Sequence, residues 1–105
     1  MLRIYAVILE VLRMLAPVIK AIEVHDRGLA TQLKEASASI ALNTREGSGS
    51  RGGTRRARYD SAGGSAQETS GCLDTALAMG YVENLDPALL DKLDHVCAVL
   101  WKLAH

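Results

Sequence analysis

Residues 54–80 read TRRARYDSAGGSAQETSGCLDTALAMG, and whether this stretch is helix or loop decides the fold. Propensity points to a loop. Gly63, Gly64 and Gly71 stand among several Ser and Thr, and each interior Gly costs a helix about 1 kcal/mol relative to Ala. Periodicity points the other way. Tyr59, Ala62, Ala66, Thr69, Leu73, Ala76 and Gly80 alternate spacings of three and four, the interval at which side chains return to one helix face. The spacing predicts a helix held by tertiary contacts, with Gly80 as its C-terminal stop.

Upstream, residues 47–53 (GSGSRGG) predict a flexible connector. Before it, Leu29, Leu33, Ser37, Ile40 and Thr44 mark a second helix whose face is rich in small residues, with Asp26 as its N-cap. Residues 2–24 carry two apolar seams. Ile4, Val7, Val11, Met14 and Val18 form one; Tyr5, Ile8, Leu12, Leu15, Ile19 and Ile22 form the other. Together they span roughly 220° at 100° per residue, against a usual stripe somewhat above 100°. An arc that wide predicts packing inside the bundle and against a second subunit, the alternative being a helix central to a monomer core. Pro17 predicts a kink or a local break.

Downstream, Asp86 is an N-cap, Pro87 takes the first helical position and Leu85 is placed to staple onto Leu90. Leu89, Leu90, Leu93, Val96, Cys97, Leu100, Leu103 and Ala104 then mark one face. The reading is all-α: an antiparallel up-and-down four-helix bundle in a single domain over residues 1–105, with helices at about 2–24, 27–46, 54–80 and 87–104.

The 105 residues suit one domain, and 49% hydrophobic content is too high for a disordered chain. Net charge is zero, but unevenly so. Residues 1–44 sum to +1; residues 45–58 carry five Arg against Glu46, giving +4; residues 59–105 carry two Lys against seven acids, giving −5. Charged residues interrupt the apolar N-terminal stretch, which argues against a membrane span or signal peptide. Cys72 and Cys97 lack metal-ligand spacing and read as buried free thiols, in keeping with a cytoplasmic protein.

With the helices placed, residues 27–104 resemble the four-helix-bundle family of 23S rRNA intervening-sequence proteins, related to the accessory variability determinant of diversity-generating retroelements, and the first helix fits in length and placement only. The family's second helix ends in a pattern like Ser-Ile-Pro-x-Asn-x-x-Glu-Gly; here the matching residues are Ser39, Ile40, Asn43, Glu46 and Gly47. Its third helix carries Ala-x-Gly-Ser-x-x-Glu and ends near Leu-Gly-Tyr; here these are Ala62, Gly64, Ser65 and Glu68, then Met79-Gly80-Tyr81. Ala41 stands where the family has Pro, Tyr59 alone represents the aromatic residues usual early in helix 3, and the chain is neutral where the retroelement branch is basic. The resemblance implies a homopentamer. From the retroelement branch it implies a reverse transcriptase and RNA or DNA as partners.

No enzyme constellation is present. Asp91, Asp94 and His95 lie close on helix 4 and read as a solvated face, not a metal site, and nothing calls for a cofactor or a membrane. Asn43 and Glu46 read as structural, satisfying helix-end backbone groups and pairing with a nearby Arg. Arg45, Arg51, Arg55, Arg56 and Arg58 surround the Gly/Ser link and suit a phosphate backbone, with Tyr59 the one nearby aromatic. Two readings are open: an oligomeric adaptor binding nucleic acid or a reverse transcriptase through these Arg residues, or a structural or protein-recognition module without nucleic-acid affinity. In the second, the Arg residues pair with the acidic surplus of helices 3 and 4, within a subunit or between subunits.

Overall fold

The contested stretch is helical. A computed structural model, describing residues 2–105, has four helices: α1 (Arg3–Glu23), α2 (Arg27–Ser48), α3 (Gly52–Ala78) and α4 (Pro87–Ala104). No strand occurs among the described residues. Each helix packs against its neighbour in sequence and α4 closes onto α1, so the chain runs up and down around one core. At about 1.5 Å per residue α3 is about 40 Å long, nearly the 42 Å length of the molecule.

The core follows the three-and-four spacing on every helix. Tyr59, Ala62, Ala66, Thr69, Leu73 and Ala76 of α3 are all buried. So are Ala30, Leu33, Ser37, Ile40, Thr44 and Gly47 of α2, and Leu89, Leu93, Val96 and Leu100 of α4. On α1 the buried line is Ile4, Ile8, Val11, Leu15 and Ile22, drawn from both expected seams. Their outer members, Tyr5, Leu12 and Ile19 on one side and Val7, Met14 and Val18 on the other, are half-buried flanks of the core. A fully buried Leu or Ile contributes about 1.5–3 kcal/mol, so α1, α2 and α4 supply most of the apolar driving force. Leu73 is the one large aliphatic residue on the buried face of α3. That helix is held by its neighbours.

Local chemistry sets the helix ends. The Asp26 carboxylate accepts a hydrogen bond from Leu29 N at 2.9 Å, and Asp86 accepts one from Ala88 N at 2.9 Å. Asp26 also accepts from the Tyr81 hydroxyl at 3.2 Å, tying the two turns at that end together. α3 stops two residues before its expected end. Tyr81 N donates to Ala76 O and Gly80 N to Leu77 O, a Schellman closure in which Gly80, at φ +75°, takes the left-handed position just past the helix. Pro17 breaks nothing: α1 runs through it. Ala16 and Pro17 lie on the exposed side, where water can satisfy the carbonyl that proline leaves without a donor. Leu85 is half-buried against the core, while Leu90 is more exposed than the rest of its expected face.

The expected connector over residues 47–53 shrinks to Gly49, Ser50 and Arg51; α2 runs on through Ser48 and α3 begins at Gly52. Gly47 is the reason. It is buried inside α2, and a Cβ there would lie 2.6 Å from Tyr59 Cε1 and 2.8 Å from Cδ1. The glycine is a contact, not a flexible break. Gly47→Ala therefore destabilises the fold by about 1–3 kcal/mol through overpacking. Gly71→Ala, where nothing lies within 4 Å, stabilises it by up to about 1 kcal/mol through helix propensity. Urea unfolding of the two variants checks that their signs are opposite.

Candidate nucleic-acid interface

Three contacts fix how α3 lies on α2. Tyr59 covers Gly47; Arg58 Nη1 meets Glu46 Oε2 at 3.1 Å; and the Ser65 hydroxyl donates to Ser39 Oγ at 2.8 Å. Going from Glu46 to Ser39 is one heptad back along α2, and from Arg58 to Ser65 one heptad forward along α3. Antiparallel helices in heptad register give that relation. Asn43 Nδ2 donates to Ser39 O and Ser39 Oγ, at 3.1 and 3.0 Å, so it braces the mid-helix contact and not the helix end expected of it. Glu46 takes one of its two expected roles: its carboxylate pairs with Arg58, while the helix-end group satisfied here is its own carbonyl, which accepts from Gly49 N and Ser50 Oγ.

The turn between these helices is tied at each residue. Gly49 N and Ser50 N donate back to α2 carbonyls, and Arg55 Nε donates to Ser50 O at 2.8 Å. Gly52 enters α3 at φ +53°. Arg51 is the N-cap residue but provides no side-chain cap, and the first turn of α3 holds no acid. α2 and α4 are capped by Asp; α1 and α3 have no side-chain cap, and at the start of α3 Arg51, Arg55 and Arg56 add to the unshielded positive dipole.

The five Arg residues are all exposed but differently employed. Arg58 is paired with Glu46 of α2, an exposed bridge at 49% and 54% side-chain accessibility that contributes little to stability. Arg45 sits in the last turn of α2, where a cation complements the helix C-terminus. Arg55 uses one of its five N–H groups on the turn. Among the described residues Arg51 and Arg56 have no ion-pair partner. Within the subunit, Arg58 takes its acid from α2, not from helices 3 or 4. Up-and-down topology divides the charge unevenly: Glu23, Asp26, Asp74, Glu83, Asp86 and Asp91 lie toward the opposite end of a 42 Å molecule and outnumber Lys20 and Arg27 there, while Glu46 and Asp60 stay at the Arg end.

The structure also revises the aromatic inventory. Tyr59 is only 4% exposed, because its ring is spent on Gly47, so it is not a stacking platform. Trp101, remote in sequence, is 63% exposed in the last turn of α4, at the same end of the bundle as the Arg turn. His105 stacks on it, ring centroids 4.6 Å apart. Arg3 and Lys102 are exposed at this end as well. Among the remaining motif residues, Ile40 is fully buried, Gly64 is exposed with open space around it, and Glu68 is exposed. Asp91, Asp94 and His95 are exposed on α4.

A family model described as 23S rRNA-intervening sequence protein matches residues 3–102. The chain belongs to that family. No curated protein and no solved structure matches it. In this member of the 23S rRNA-intervening sequence protein family, no helix among the described residues is long and apolar enough to cross a membrane.

The two thiols differ. Cys72 is buried, whereas Cys97 is only half-buried, short of the burial expected for it. Burial raises the pKa of both; the Glu68 charge adds to this at Cys72 and the Asp94 charge at Cys97, where a hydrogen bond involving Ser70 partly opposes it. A raised pKa means less thiolate at pH 8 and slower attack. With a disulfide reagent at that pH, both thiols should react more slowly than free cysteine, and Cys97 before Cys72. Mass spectrometry of the labelled protein reads the order.

Proposed function

We propose that this protein is a non-enzymatic, self-associating adaptor that holds the phosphate backbone of single-stranded nucleic acid at its α2–α3 turn. The observation that carries the reading is the start of α3. An uncapped helix N-terminus attracts anions and disfavours nearby cations, yet it holds Arg51, Arg55 and Arg56 with no acid in its first turn. Cations placed against the local field do not stabilise the helix through its dipole, but together with the free amides they supply the positive charge an anion needs. Separation of the acids toward the far end leaves this field focused despite zero net charge. Self-association is supported by the half-buried apolar flanks of α1, which exceed what α2 and α4 cover. The family resemblance adds the pentamer and, through its retroelement branch, a reverse transcriptase as a protein partner.

Titration of labelled single-stranded RNA or DNA at two salt concentrations tests the phosphate reading. Each phosphate contact contributes about 0.7 to the slope of log affinity against log salt for single strands. Changing Arg55 and Arg56 together to Glu should lower that slope by at least about 1.4 and weaken binding at low salt, with helicity unchanged by circular dichroism. No binding by the unaltered protein at low salt rejects the reading in favour of a protein-recognition module. Light scattering after gel filtration tests assembly, and a monomer of 11.3 kDa at micromolar concentration rejects it.

A further inference from the structure

Between α3 and α4, beside the Arg turn, lies an open cleft of about 290 Å³. Gly63 and Gly64 form its α3 side, Trp101 and His105 its α4 side, and Asp60 and Gln67 stand at its edges. Its volume is near the low end for small-molecule sites, which suits one flat heterocycle. Resting on the phosphate reading above, we propose that this cleft receives one unpaired nucleobase from the strand whose backbone the Arg turn holds.

Three observations converge on that ligand. Trp101 leaves a large aromatic surface in solvent, and His105 stacks on it with an interplanar angle of 18° while its Nδ1 lies 2.9 Å from Trp101 O. The pair is an ordered aromatic wall, and every base has a π-face that such a wall accepts. Opposite it, Gly64 is unexplained by packing or by backbone conformation: nothing lies within 4 Å of where its Cβ would be, and its φ is not positive. What the missing side chain does is leave the cleft open. Finally, Arg56 precedes Asp60 by one helical turn on the same face of α3, so the Arg-bearing start of the helix begins about 6 Å along the axis from the edge of the cleft. Within the cleft, the Asp60 carboxylate accepts from base N–H groups, and the Gln67 carboxamide both donates and accepts. A duplex, whose bases are already stacked and paired, offers nothing to this site.

Trp101 is the chain's one tryptophan, so intrinsic fluorescence reports the cleft directly. Single-stranded oligonucleotides of mixed sequence should quench it, and duplex of the same length should not. Measured by fluorescence anisotropy of labelled oligonucleotide, Trp101→Ala should weaken single-strand binding about 5- to 150-fold, the usual range for loss of one stacked base. Gly64→Leu, which fills the cleft and favours the helix, should weaken it comparably while keeping the salt slope set by Arg55 and Arg56. Salt-dependent binding with unchanged Trp101 fluorescence, and with both variants equal to the unaltered protein, overturns the cleft proposal and leaves the Arg turn standing. Equal affinity for duplex and single strand likewise overturns it. No binding at low salt overturns both readings.

Discussion

Gly47 has no side chain, and the ring of Tyr59 occupies the place where one would be. That exclusion governs the α2–α3 pair, because it sets how closely the two helices lie at the turn that joins them. Glu46 and Arg58 hold the flank of the same contact, and Ser39 with Ser65 repeats the register one heptad along. Small residues at the buried positions of both helices, among them Ala30, Ser37, Ala62 and Ala66, keep the pair close over the rest of its length. With α3 fixed on α2, α4 covers α3 and closes the bundle onto α1. The three-residue turn is then short, and the Arg residues around it are held by two helices, not scattered along a flexible link.

Much of this architecture was legible in the sequence, because it follows from spacing. Asp26, Asp86 and Pro87 mark helix starts through chemistry within a few residues, and the structure places them there. The buried line of α3, from Tyr59 to Ala76, emerges from alternation of three and four even where Gly and Ser dominate. Gly47 could not be read that way. In sequence it is the first glycine of a Gly/Ser run and signals a break; only the partner ring on α3 makes it a contact. Trp101 was missed for a related reason. It lies 43 residues beyond Arg58 in the chain, and up-and-down closure of α4 is what returns it to the end holding the Arg turn. Tyr59 shows the converse error, since proximity in sequence to five Arg residues says nothing about which way a ring is packed.

Topology also transforms the charge balance. Along the chain, a basic segment precedes an acidic one, and their neighbourhood suggests mutual neutralisation. In the bundle, the turn between α2 and α3 lies at one end, while the α1–α2 and α3–α4 turns, with Asp26, Glu83 and Asp86, lie at the other. At 0.15 M ionic strength the Debye length is about 8 Å, a small fraction of the 42 Å that separates the extremes. Each end therefore acts on its surroundings with its own sign. A neutral protein of this shape is electrostatically two surfaces.

The composition of α3 connects stability to the candidate site. A helix built for independent stability would place Ala or Leu at Gly63, Gly64 and Gly71 and an acid in its first turn. This one does neither, and it relies for its folding on large aliphatic residues contributed by α1, α2 and α4. Because burial by its neighbours holds it, its outer face and its N-terminus are released from serving the helix. The cleft beside Trp101 and the uncapped, Arg-bearing start of α3 are where that freedom appears. Gly71 apart, the departures from local helix chemistry lie between the start of α3 and the cleft, where they shape an open surface, while the small residues on the opposite face of α3 serve close packing.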